Sequence, residues 1–350
     1  MSVFKDEKGR WGFSVRYTDV LGNRKQKKSV NKNWTKKQAK IEEEKFLSNA
    51  TNTAFTFEQL RNIYMTSKEL KIKESTYRHK ESLYRNYIEQ YFKNFDISKI
   101  DEYQIESWQK KLLDRGLKLS SIRCIQSELI STLNYGYKRR LIKRKIFVDH
   151  IVSDAPKTIE KKFITKNEFD AICDVALRKN RRNLYIVIQC LYYTGMRIGE
   201  LLALTNNDIN GNVITISKTY NHVLNKVTTT KNNTIRNVTV SDRIIDMLNE
   251  KKQHYRDCGI KGNFYIFGGN KPSSRTYFYN EYRKICDELH ITPSKLHTLR
   301  HTHVSNLIAL GFNPFEISER TGHSVEMIHK IYGHVIDNPQ VNMANKLETL

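Results

Sequence analysis

From residue 55 to residue 145, apolar side chains recur at helical spacing with scarcely a break. That feature limits the stretch to helices packed on helices. Phe57, Leu60, Ile63 and Tyr64 share one face, and so do Tyr84, Tyr87, Ile88, Tyr91 and Phe92. A third segment, IDEYQIESWQKKLLDRG, stops at Gly116, a residue suited to closing a helix. The segment SSIRCIQSELISTLNYGYKRR supplies the fourth helix. Four such helices bury their apolar faces on one another and need no cofactor. Tyr77, Tyr84, Tyr87 and Tyr91 therefore read as core and inter-helix contacts.

Upstream the period changes. In WGFSVRY, Trp11, Phe13, Val15 and Tyr17 alternate with smaller or polar residues, which predicts a strand with one apolar face. Gly22-Asn23 reads as a turn and RKQKKSV as a second strand. Thr35 with Gln38 forms a capping box before the helical KKQAKIEEEKFL. Residues 1–50 hold 13 Lys and Arg against 6 Asp and Glu. A small sheet with one helix and that charge suits docking on DNA; a solvated accessory domain is the plainer alternative. SNATNTA then forms a polar linker.

Downstream, KRRLIKRK (138–145) has six basic residues in eight, placed where a helix ends, and suits phosphate contact. The stretch 146–162 contains Pro156, lacks a clear period and reads as an interdomain linker. Thr165 and Glu168 form another capping box, which opens a larger domain. That domain is expected to run through helices, strands around Asn210-Gly211, a hairpin over KVTTTKNNTIRNVTV, and helices to the end. The expected division is 1–50, 55–150 and 163–350.

Lys and Arg number 60 and Asp and Glu 37, a net charge of +23. A folded chain this basic most often meets a polyanion, with nucleic acid foremost; a basic protein without such a partner is the alternative. The five cysteines, Cys124, Cys173, Cys190, Cys258 and Cys286, include no CxxC pair, which argues for a reducing compartment and against a cysteine zinc site. No run approaches the roughly 20 apolar residues of a membrane span, and the start lacks a signal-peptide core. The expected location is the cytoplasm.

LHTLRHTHVSNLIALGF sets His297, His301 and His303 around Arg300. His297 and His301, four apart, have the spacing of a zinc pair. Neither a Glu beside His297 nor a third ligand follows, and a guanidinium between two metal-bound rings is unfavourable. Beside a phosphodiester the same guanidinium is useful. A phosphate site needs a second cation, and YYTGMRIGELLAL provides it. Gly195 breaks a helix, Arg197 starts the next, and Ile198, Leu201, Leu202 and Leu204 anchor it. RTGHSVEMIHKIYGH sets His323 nine residues before Tyr332.

The ordered set TGMRIGELLAL, TTTKNNTIRNVTV, HTLRHTHVS, RTGHS and IYGH resembles the tyrosine recombinases, in particular phage-type and genomic-island integrases. Each box is weak alone; the order makes the set specific. With 19 tyrosines in the chain, only this context singles out Tyr332. The resemblance implies a mainly α fold with small β parts: an arm-binding sheet and helix, a helical SAM-like core-binding domain, and a mixed α+β catalytic domain. It implies that Arg197 and Arg300 grip a scissile phosphate and that Tyr332 attacks it. His297 accepts the tyrosine proton, Lys231 protonates the leaving 5′-oxygen, and His323 hydrogen-bonds the phosphate. Lys226 and Arg236 are alternatives to Lys231. Glu200 orients Arg197 or caps structure.

Neither metal nor other cofactor is implied. The implied partners are double-stranded DNA at core-type and arm-type attachment sites, a homotetramer on that DNA, a DNA-bending protein and an excisionase, in a bacterial cytoplasm at the nucleoid. Val341, Ala344 and Leu347 fall on one helical face of a tail that would dock on a neighbouring protomer, or else pack on its own subunit. The alternatives are a resolvase or chromosome-dimer recombinase, a DNA-binding regulator with a dead site, and a zinc hydrolase built on His297 and His301.

Overall fold

A computed structural model describes residues 3–18, 24–51, 55–149, 163–230 and 234–332. Its contacts group into two compact units, 1–156 and 157–350. The architecture is mainly helical with small antiparallel sheets, as expected. No described helix is long and apolar enough to cross a membrane.

In the first unit, β1 (Val3–Lys5), β2 (Trp11–Thr18) and β3 (Arg24–Asn31) form an antiparallel sheet in that order, followed by α1 (Lys36–Thr51). Phe13 is buried and packs on Trp34 and Phe46, while Tyr17 meets Phe46 edge-on, so the alternating face of β2 lies against α1. The Thr35–Gln38 box closes in both directions. The three-residue β1 is an addition, too short to carry an alternation of its own. Gly22-Asn23 lies outside the described residues.

The helical part holds α2 (Phe57–Glu69), α3 (Glu74–Leu83), a π-helical turn (Tyr84–Ile88), α4 (Glu89–Phe92), α5 (Glu102–Asp114) and α6 (Leu119–Lys138). Phe57, Leu60, Ile88, Trp108, Ile125 and Leu129 lie in its core, with Tyr84, Tyr87 and Tyr91 packed against it. Gly116 takes the left-handed conformation just past α5. The basic run after α6 differs from the expected exit into a linker. Ile142 and Ile146 tuck into the core, and Arg144 pairs with Glu102 through two hydrogen bonds of 2.7 and 3.2 Å. Apolar residues inside the run pull it back onto the helices, leaving Lys138, Arg139, Arg140, Lys143 and Lys145 exposed.

In the second unit, α7 (Lys166–Arg178) starts from a complete Thr165–Glu168 capping box. α8 (Arg182–Thr194) is buried along nearly its whole length and runs through the core. α9 (Ile198–Leu202) leads to β4 (Ile209–Asn210), β5 (Val213–Ile216), β6 (Lys218–Asn221), β7 (Lys226–Thr229) and β8 (Arg236–Thr239). Then come α10 (Asp242–Asp257), α11 (Arg275–Glu288), α12 (Leu296–Ala309), α13 (Pro314–Thr321) and α14 (Val325–Tyr332).

The pairing of the strands corrects the expected hairpin. β7 pairs with β6, whereas β8 pairs with β5 beside β4. Alternation decides which face of a strand is buried, not which strand lies beside it. Here Ile214 and Val238 are buried opposite one another, and that contact draws β8 to β5. Asn221 closes the β6–β7 turn instead, its side-chain oxygen accepting from the amides of Val223 and Leu224.

Candidate active site

Three chain turns of the second unit converge. The first follows α8, where Gly195 adopts φ +64°. A Cβ there would lie 2.4 Å from Cδ2 of His303, so both the backbone conformation and the space call for glycine. Arg197 then caps α9. Its amide and its Nη1 both donate to Glu200, each at 2.9 Å. The carboxylate three residues on thus caps the Arg197 amide and also steers the arginine side chain; the reciprocal half of a capping box is missing, because a guanidinium cannot accept. Arg236 on β8 grips the other side of Glu200 at 2.6 and 3.2 Å. Burial by itself would raise the Glu200 carboxyl; the Arg236 hydrogen bonds and charge, followed by Arg197, outweigh it and hold the group below its ordinary range.

The second turn opens α12. Arg300 on that helix is 1% exposed. Its Nη1 donates to Gly195 O, its Nη2 to Thr321 O at 2.7 Å, and its Nε to His323 Nε2 at 3.2 Å. His297, one turn earlier, is exposed and meets His301 edge-on at 4.8 Å between ring centroids. Partial desolvation by surrounding protein, then the nearby His301, Arg300, Arg197 and Arg275, push its imidazole down to about 4. It is neutral at pH 7 and able to accept a proton.

The third turn follows α13, where Gly322 closes the helix in the left-handed region. Gly322 O accepts from Arg197 Nη2 at 3.4 Å. His323 beside it is buried, and burial, then Arg300 and Arg197, push it down to about 3. Thr321 Oγ1 donates to Ile317 O at 2.6 Å, and so accepts from His323 Nδ1 at 3.2 Å. That leaves Nε2 of His323 as the acceptor for Arg300.

Arg197, His297, Arg300 and His323 are thus brought into one neighbourhood. Arg197 is its more open cation, with 34% of its side chain exposed. Tyr332 ends α14, nine residues past His323 on the same strand of sequence, and only its backbone is described. Lys231 lies outside the described residues; on either side of it, Thr230 Oγ1 bonds Thr234 O at 2.9 Å. Arg236 is turned inward on Glu200, which sets it apart from a proton donor to substrate. His303 is a packed residue: Nδ1 donates to Tyr192 O at 2.8 Å, and burial and Arg320 push it down to about 4. Among the described residues no group of three His, Cys, Asp or Glu is placed to hold a metal. Sequence reasoning left Arg320 unassigned, although its guanidinium reaches three elements of the site's frame. A lone Arg before Thr-Gly-His carries no local signal of that.

Residues 162–338 match the model of the phage integrase family, and residues 56–113 match the phage integrase N-terminal SAM-like domain. The chain is 30% identical to the ICEBs1 integrase of Bacillus subtilis (strain 168) over 372 aligned positions, covering all of both chains. It is 26% identical to a tyrosine recombinase of Pseudothermotoga lettingae, over 73% of this chain and 85% of that one. In fold it resembles the Tn1549 transposon integrase in complex with a circular intermediate DNA, with a TM-score of 0.71 at 18% identity over 83% of this chain and 99% of that one. It also resembles a lambda integrase tetramer bound to a Holliday junction, with a TM-score of 0.62 at 14% identity over 93% and 94%.

Proposed function

The chain belongs to the phage integrase family of tyrosine recombinases, and from that premise we propose how its residues cut and rejoin DNA. Arg197 and Arg300 hold the non-bridging oxygens of one phosphodiester and balance the charge that builds on a five-coordinate phosphorus. The Tyr332 oxygen attacks phosphorus, giving a 3′-phosphotyrosyl bond and a free 5′-hydroxyl. His297 takes the phenol proton; the bound phosphate raises its basicity by opposing the cations around it. Lys231 protonates the departing 5′-oxygen. His323 now accepts from Arg300 through Nε2. To donate to a phosphate oxygen it shifts its proton from Nδ1, with Thr321 as the hydroxyl that can follow. The bond energy stays in the phosphotyrosine, and no step calls for ATP or metal.

The substrate is double-stranded DNA. The module 1–50 binds arm-type sites, 55–150 the core-type site, and 163–350 carries the chemistry. Four copies exchange strands through a Holliday junction to integrate or excise a mobile element, with the tail past Tyr332 docked on a neighbour. A DNA-bending protein and an excisionase assist, at the bacterial nucleoid. The single observation that carries this reading is the convergence of Arg197, Arg300 and His323, with both guanidinia held by protein acceptors behind them.

Covalent capture tests it. The protein is mixed with DNA from the ends of its own element, in EDTA and without ATP. SDS-resistant adducts are expected, and Tyr332→Phe should abolish them. Adducts that persist in the variant would put the nucleophile elsewhere. DNA binding without adducts would favour a regulator.

A further inference from the structure

We propose that Arg320 is a positioning residue for strand cleavage: it fixes the spacing of the two turns that hold Arg197 and Arg300. The inference rests on the function proposed above. Arg320 is the second-last residue of α13, directly before the Thr321–His323 turn. Its Nε donates to His303 Nε2 at 3.2 Å, its Nη1 to Thr239 O at 3.1 Å and its Nη2 to Tyr193 O at 3.1 Å. One guanidinium therefore ties the end of α13 to α12, to the end of β8 and to the last turn of α8. All three of its nitrogens engage protein, and none of these bonds is to Arg197, Arg300 or His323, so it acts on the site through the frame.

The ties lead to the site through short paths. His303 receives Arg320 on Nε2 and donates from Nδ1 to Tyr192 O. The same ring fills the space against Gly195 that a Cβ would need. Gly195 O in turn holds Arg300. On the other side, the two residues after Arg320 offer their carbonyls to the catalytic cations: Thr321 O to Arg300 and Gly322 O to Arg197. Fixing α13 against α8 thus fixes both guanidinia relative to each other. A lysine cannot reproduce this, because a single ammonium does not reach three acceptors arranged around a planar fork. Without the side chain the turn stays tethered, since Arg236 Nε still donates to Arg320 O at 3.1 Å. Loss of Arg320 therefore loosens the geometry while the unit stays folded.

The test compares wild type, Arg320→Lys and Arg320→Met on two nicked duplexes carrying the element's attachment site. One has the natural scissile phosphodiester; the other has a methylphosphonate there, which lacks the charge that the arginines neutralise. Both variants should bind the duplex and melt near wild type. On the phosphodiester they should form the Tyr332 adduct about 10²-fold more slowly, as expected for reacting groups displaced by around 1 Å. On the methylphosphonate the deficit should largely vanish. An equal deficit on both substrates would mean general damage and overturn the proposal, as would undiminished cleavage of the phosphodiester. Wild type that binds but gives no Tyr332-dependent adduct on either duplex would overturn the recombinase mechanism itself.

Discussion

At the scale of single residues, the site is a set of cations whose backs are occupied and whose histidines are kept neutral. Neutrality has a consequence for stability. His303 and His323 ordinarily titrate near 6.5, but in the folded chain they are pushed down to about 4 and about 3. As pH falls below 6.5 the unfolded chain binds protons that the folded chain refuses, so stability falls. The loss continues to about pH 4 for His303 and about pH 3 for His323, and it flattens above neutrality. At roughly 1.4 kcal/mol per pH unit for each group, several kcal/mol are at stake. Glu200 adds a loss of the same sign lower down, as pH drops through its depressed folded value. The melting temperature should therefore fall steeply between pH 7 and pH 4.5, and His303→Asn, which cannot take a charge, should flatten the curve. A melting temperature independent of pH over that range would contradict the buried, neutral state. Much of this was legible in advance: Arg197, His297, Arg300 and His323 are the residues that the resemblance of the ordered boxes singles out. Arg320 and the inward turn of Arg236 were not, because each acts on residues at least 17 positions away.

At the scale of elements, capping boxes and helical periods behaved as local chemistry predicts, since a Thr and the Gln or Glu three residues on settle a helix start between them. The exceptions are where a tertiary contact intervenes. The expected second helix of the 55–145 stretch is interrupted by the π turn at Tyr84–Ile88. Trp108, 2% exposed, sits edge-on to Phe92 at 5.5 Å and donates its indole N–H to Tyr87 O within that turn. Trp108→Phe keeps most of the packing and should cost about 1 kcal/mol for the lost hydrogen bond. Trp108→Ala should cost about 3–5 kcal/mol through the cavity it leaves. Urea unfolding followed by circular dichroism would measure both, and equal losses would rule out a separate role for the indole N–H. The strand partners of β7 and β8 were likewise beyond local reading, because burial of Ile214 against Val238 decides them.

At the scale of the whole molecule, a net charge of +23 meets a polyanion, and binding to DNA should weaken as salt rises through loss of counterion release. Deleting residues 1–50 should abolish integration yet spare adduct formation at an isolated core site, measured side by side on the same DNA. Retained integration would remove arm-site binding from that module. The sequence by itself determined the helical middle, the basic strands and helix before it and the order of the candidate site residues, because spacing, charge and caps act over a few positions. It also determined the family, since an ordered set of short boxes survives where overall identity is low. Tertiary structure alone decided which oxygens occupy each guanidinium, which histidine is structural and which strand pairs with which. Those outcomes depend on burial and on contacts between residues that the chain keeps far apart, and a hydrogen bond from Arg300 to Gly195, or from Arg320 to Tyr193, exists only once the core has brought the turns together.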